Sequence, residues 1–142
     1  MGPSFSSWYV VFVTRKPTYW WDWVFTWGKY KHVCALGYSP EGDQWTFYDW
    51  NFLGCQVFPI SKPALDSFLA YIEESGGTVL DVGPGSKKYR KTWVTIGTCV
   101  SSVKHLTRLK SWAMTPDQLF CAYQKAGAET LFTPLGVCVE QK

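Results

Sequence analysis

Histidine is nearly missing from this sequence: His32 and His105 are the whole supply in 142 residues. A metal centre built on imidazole therefore has little to draw on. The five cysteines, Cys34, Cys55, Cys99, Cys121 and Cys138, are widely spaced, and no Cys-x-x-Cys pair occurs among them. This argues against a zinc ribbon, and no metal and no cofactor is expected. Long apolar runs are missing too. Nothing approaches the roughly 18 to 20 residues that a membrane-spanning helix needs. The opening residues Met1-Gly2-Pro3-Ser4 carry no basic stretch ahead of an apolar one. No signal peptide is expected, and with it go synthesis in the cytoplasm and five reduced thiols. Charge of one sign is also scarce. Fourteen Lys and Arg against eleven Asp and Glu leave a net charge of +3 and a pI near 8.6. That is too weak a bias to imply a nucleic-acid partner.

What the chain has in excess is rings. Nine Trp, eight Tyr and nine Phe make it 18% aromatic. Such a density means either a core of large rings or an aromatic surface meant for a partner. The densest stretch is residues 19–27, with Trp20, Trp21, Trp23 and Trp27. Four indoles so close together are hard to bury in one small domain without straining the packing. At least two of them are expected to be partly exposed, as a wall beside a substrate or as a docking surface for another protein.

The length fits a single domain, residues 1–142, with one continuous core. Residues 8–13 (WYVVFV) read as a strand. Residues 30–36 and 45–50 read as an antiparallel hairpin around the turn cluster Ser39-Pro40-Glu41-Gly42-Asp43. A further strand over 53–60 continues the meander, with Gly54 as a bend. Helices are signalled over 61–75, 99–110 and 115–126. Ser61 with Pro63, and Thr115 with Pro116 and Gln118, mark two of the starts, and Gly76-Gly77 and Gly127 mark stops. Short strands at 78–82 and 93–97 fall between the helices, and Leu131-Phe132 and Val137-Cys138-Val139 form a tail. The expected class is α+β, with helices packed on an antiparallel sheet.

Cys99 stands apart from the other thiols. It follows the strand over 93–97 and begins a helix. A helix N-terminus carries about half a positive charge and N–H groups without partners, which favour a thiolate and can hold an oxyanion. The plain alternative is a small buried side chain at a strand–helix junction. His32 is its natural base, because His105 lies about two turns along the same helix as Cys99. In the expected register, positions whose numbers sum to about 83 pair across the hairpin, so Asp49 and Asn51 share the face of His32. Either could accept the imidazole N–H, with Asp49 preferred because a carboxylate also stabilises imidazolium. The basic run from Lys87 to Lys91 reads as a solvated loop, and Gly83 to Lys88 does not match a phosphate loop.

Two stretches carry a family likeness. One is Thr98-Cys99-Val100-Ser101-Ser102-Val103-Lys104-His105-Leu106; the other is Met114-Thr115-Pro116-Asp117-Gln118-Leu119. Together they resemble the nucleophile helix and following helix of circularly permuted papain-like cysteine peptidases. These are relatives of Nlp-type bacterial cell-wall peptidases and include small proteins of tailed phages. The order also resembles that form, with the histidine strand ahead of the cysteine helix. The likeness covers residues 30–127, with 1–29 as an aromatic-rich N-terminal segment. One departure is Arg108-Leu109-Lys110, where leucine-glycine-isoleucine is usual. The resemblance implies a permuted papain-like fold and amide hydrolysis. It implies Cys99 as nucleophile, His32 as general base and then acid, Asp49 or Asn51 as orienter, and the Val100 N–H in the oxyanion hole. The substrate it implies is a peptide or a peptidoglycan-like amide. A second class, also suggested by the phage-type motif, is a virion or tail component of the same fold with little or no activity. Such a component would meet other virion proteins through Trp20, Trp21, Trp23 and Trp27.

Overall fold

The computed structural model describes residues 6–14, 28–51, 54–84 and 98–132. The aromatic segment with Trp20, Trp21, Trp23 and Trp27, the basic run 87–91, the strand expected over 93–97, and Cys138 lie outside these residues. Among the described residues the class is α+β, with six strands and three helices. The strands are β1 (Ser7–Val13), β2 (His32–Ser39), β3 (Gln44–Asn51), β4 (Gly54–Ile60), β5 (Thr78–Gly83) and β6 (Glu129–Phe132). The helices are α1 (Lys62–Glu74), α2 (Cys99–Thr107) and α3 (Pro116–Lys125). The strands form one antiparallel sheet in the order β4-β3-β2-β1-β5-β6.

β1 reads as an almost unbroken apolar run because it is buried on both faces. Val10 and Phe12 point to one side, where Val100 and Val103 of α2 and Leu119, Phe120 and Tyr123 of α3 cover them. Val11 and Val13 point to the other, under Leu65 and Ile72 of α1. Strand alternation thus sorts neighbouring residues into two separate cores. Phe12 is fully buried, and its ring meets those of Tyr30, Phe120 and Tyr123 at 5.2 to 6.5 Å between centroids.

The hairpin follows the expected register. Ala35 pairs with Tyr48, and Ser39 with Gln44. Its turn places Asp43 at a positive φ of 45°, and the Asp43 carboxylate accepts from the Tyr38 hydroxyl at 2.9 Å. The bend at Gly54 has a φ of +112°, a conformation glycine adopts without the cost a side chain would add.

All three helices end in one pattern. Gly77 N–H bonds back to Ile72 O, Leu109 N–H to Lys104 O, and Ala128 N–H to Tyr123 O, each spanning five residues after a left-handed residue. In α1 and α3 that residue is a glycine, Gly76 or Gly127. In α2 it is Arg108, at a φ of 57°. The expectation of a helix running to Lys110 is therefore corrected: α2 closes at Thr107, and no glycine marks the place. Thr107 Oγ1 and the Tyr123 hydroxyl share a buried hydrogen bond of 2.5 Å that ties α2 to α3.

Removing the ring at the centre of the larger core should leave a cavity that the flanking helices cannot close. Phe12→Ala is expected to destabilise the fold by about 3–5 kcal/mol. Urea or guanidinium unfolding followed by far-UV circular dichroism measures it.

Candidate functional site

The start of α2 is built by its cap. Thr98 is extended, its hydroxyl accepts from Ser101 N–H at 3.1 Å, and the Ser101 hydroxyl accepts from Thr98 N–H at 2.9 Å. The Thr98 carbonyl accepts from Ser102 N–H at 3.0 Å. The first-turn amides of Cys99 and Val100 are thereby left without a partner among the described residues. They stand at the positive end of the helix, where donors and dipole favour an anion. Cys99 is half-buried, and the Val100 side chain is buried in the larger core.

His32 is the first residue of β2. Its Nε2–H donates to Asp49 Oδ1 at 2.5 Å, with side-chain exposures of 26% and 15% for the pair. The Cys99 side chain lies close enough to the same ring to help push its pKa up. An imidazole has two ring nitrogens, and with Nε2 held by Asp49 the one left for the sulfur is Nδ1. The structure therefore brings Cys99, His32 and Asp49 into one chain of contacts. Asn51 ends β3, with its backbone paired to Gly54; its side chain lies outside the described residues. Asp49 is the partner that the ring meets.

Strand alternation places His32 on the side of Cys34 and Leu36, which belong to the α1 core. Cys99 packs against the opposite core. The two meet because His32 stands where the sheet ends. Its last pairing is with Val13 of β1, and the β2–β3 ladder begins only at Ala35. The contact is made round the end of the sheet, not across its face.

Burial alone would pull the His32 pKa down, since it disfavours the charged ring. The Asp49 hydrogen bond and the Cys99 side chain oppose it, and the result is a pKa pushed up to about 9. Cys34 behaves differently. It is fully buried, and burial followed by the nearby Asp49 and Cys99 charges pushes its thiol well up, which suits an inert core residue. The described cysteines form no disulfide with one another.

Two features escaped the sequence reading. Tyr48, next to Asp49 but on the α2 side, packs against the larger core near Ser102, one turn along the helix from Cys99, and near Cys55. Burial and the Cys55 contact push its hydroxyl up to about 12, so it remains a proton donor beside the site. Asp117, read only as part of a helix start, accepts from the backbone of Lys29 and Tyr30 at 3.1 and 3.2 Å. Only the packing of distant segments shows what these two side chains touch. His105 lies exposed near the end of α2, away from the sulfur.

No three His, Cys, Asp or Glu among the described residues are grouped so as to hold a metal ion. Among the described residues no helix is long and apolar enough to cross a membrane. An open groove lined by Tyr38, Trp45, Pro59 and Lys62 sits at the far end of β2, about 20 Å along the strand from His32 at ~3.3 Å per residue. No cysteine and no histidine line it. The chain matches no family model, no curated protein and no solved structure.

The raised His32 pKa fixes a pH dependence of stability. The folded value of about 9 exceeds the ordinary 6.5. The protonated ring therefore stabilises the fold fully below about pH 6.5, and that contribution disappears as pH rises through about 9. Asp49→Asn removes one of the interactions responsible. Urea midpoints of the wild type and this variant should differ most near pH 6 and draw together by about pH 9.5.

Proposed function

We propose that this chain is a cysteine-dependent amide hydrolase with a permuted papain-like fold, in which Cys99 attacks, His32 moves the proton and Asp49 orients His32. One observation carries the reading: a single imidazole lies between a carboxylate and a thiol at a helix N-terminus. Nucleophile, base and orienter in hydrogen-bond reach are what nucleophilic acyl transfer needs.

The steps follow from these positions. Cys99 Sγ, as thiolate beside a protonated ring, attacks the amide carbonyl carbon, and the carbonyl oxygen becomes an oxyanion. The N–H groups of Cys99 and Val100 stabilise it, since the cap leaves both unused. The C–N bond then breaks, and His32 Nδ1–H gives its proton to the departing nitrogen. A ring that holds its proton to about pH 9 can do this at neutral pH. A thioester remains on Cys99. Neutral His32 next takes a proton from water as the water oxygen attacks the thioester carbon. The C–S bond breaks, the acid leaves, and the thiolate–imidazolium pair is restored. Through both halves Asp49 keeps Nε2–H engaged, so that Nδ1 faces the sulfur.

The substrate class that goes with this reading is a peptide or peptidoglycan-like amide. The likeness to phage-encoded members makes peptidoglycan stem peptides the first substrates to try. Iodoacetamide at pH 6–7 should label Cys99 faster than Cys34, Cys55, Cys121 or Cys138. His32→Ala should slow both this labelling and amide cleavage, the latter by about 10²–10⁴-fold. Asp49→Ala should lower cleavage through loss of ring orientation, by up to about 10⁴-fold. Peptide mapping by mass spectrometry reads the first, and release of new amino groups reads the others. Equal labelling of all thiols, or Cys99 labelling indifferent to His32→Ala, overturns the hydrolase. Fast labelling with no cleavage of any peptide or peptidoglycan amide favours the virion component of the same fold.

A further inference from the structure

The segment leading into β2 is held by a carboxylate from a distant helix. Asp117 stands in the first turn of α3, and its two oxygens accept separately from Lys29 N–H at 3.1 Å and Tyr30 N–H at 3.2 Å. Gly28, just before, has a φ of +129°, and a Cβ there would lie 2.2 Å from Asp117 Oδ2. The close approach of the carboxylate thus requires glycine at this position. Tyr30 is locked further by its hydroxyl on Thr78 Oγ1 at 2.6 Å and by its ring against Phe12 and Phe120. Two residues later comes His32. On the β3 side the ladder does not begin until Ala35, so β1 alone pairs with the first residues of β2. The sheet by itself therefore holds the His32 backbone from one side only.

We propose that Asp117 is a positioning residue for His32: by clamping the backbone of Lys29 and Tyr30 to α3, it sets the separation of His32 from Cys99. The link closes through the helices. Asp117 ties the start of β2 to α3, and the buried Thr107–Tyr123 hydrogen bond ties α3 to α2, the helix that begins with Cys99. Nucleophile helix and base strand are both referred to α3. Asp117 touches no reacting atom, and its role rests on the Cys99–His32 pair proposed above.

The test reads the His32 ring directly, by NMR titration of the imidazole in the full chain. His105→Gln removes the second histidine signal at an exposed position near the end of α2. In Asp117→Ala the His32 pKa should fall from about 9 toward 6.5, by about one unit or more, as the ring drifts from Asp49 and Cys99. Asp117→Asn, which keeps one acceptor oxygen, should give a smaller fall. Gly28→Ala, which pushes the carboxylate away from the other side, should match Asp117→Ala. The double variant should fall no further than the larger single one, since both changes remove one contact. Thr115 and Gln118 still cap α3 in these variants through their own hydrogen bonds. Should Asp117→Ala fail to fold by circular dichroism, Asp117→Asn is the variant read. A His32 titration that stays near 9 in the folded variant overturns the proposal, as do fully additive effects of the two substitutions. The titration responds whether or not any amide is cleaved. A shifted titration together with His32-independent Cys99 labelling would therefore keep the brace and remove the hydrolase.

Discussion

The double-sided burial of β1 is the constraint on which the other elements depend. Its side chains alternate between two cores, so the strand must lie inside the sheet with helices above and below. From that follow the positions of α1 on one face and α2 with α3 on the other. The site inherits its place from this arrangement. α2 is pressed against Val10 and Phe12 by Val100 and Val103, and this fixes where its first residue, Cys99, ends up. β2 pairs with β1 from Tyr38 opposite Ser7 down to His32 opposite Val13.

Within that frame the site is an electrostatic compromise. Burial opposes a charged imidazole, yet Asp49 on one side and Cys99 on the other more than offset it. The ring needs both neighbours, and each comes from a different element. Asp49 rides on β3, whose register is set by the hairpin; Cys99 rides on α2, whose direction is set by the core. Cys34, two residues from His32, shows the contrast. Fully enclosed and without a hydrogen-bonding base, it is held as a thiol.

Much of this is legible in the residues. The hairpin register follows from the turn cluster and the period of two, and it put Asp49 on the face of His32. The capping box at Thr115 comes from side chains that bond only three residues away. The end of α2 was hidden for an equally local reason: Arg108 takes the left-handed position usually given to glycine, and sequence pattern has no sign for that. Alternation was also an incomplete guide to His32. It assigns the residue to the α1 side, while the contact with Cys99 is made at the end of the sheet, where ladder pairing stops.

By itself, then, the sequence determined the elements, the hairpin register and the thiol at a helix start, because each depends on neighbours within a few residues. Only the tertiary structure decided the order of strands, the two-sided core, the choice of Asp49 as the partner met by His32, and the clamp of Asp117 on Lys29 and Tyr30. These join groups 17 to 88 residues apart. Their distances are set by how helices and strands pack over β1, and no local preference in the chain encodes that.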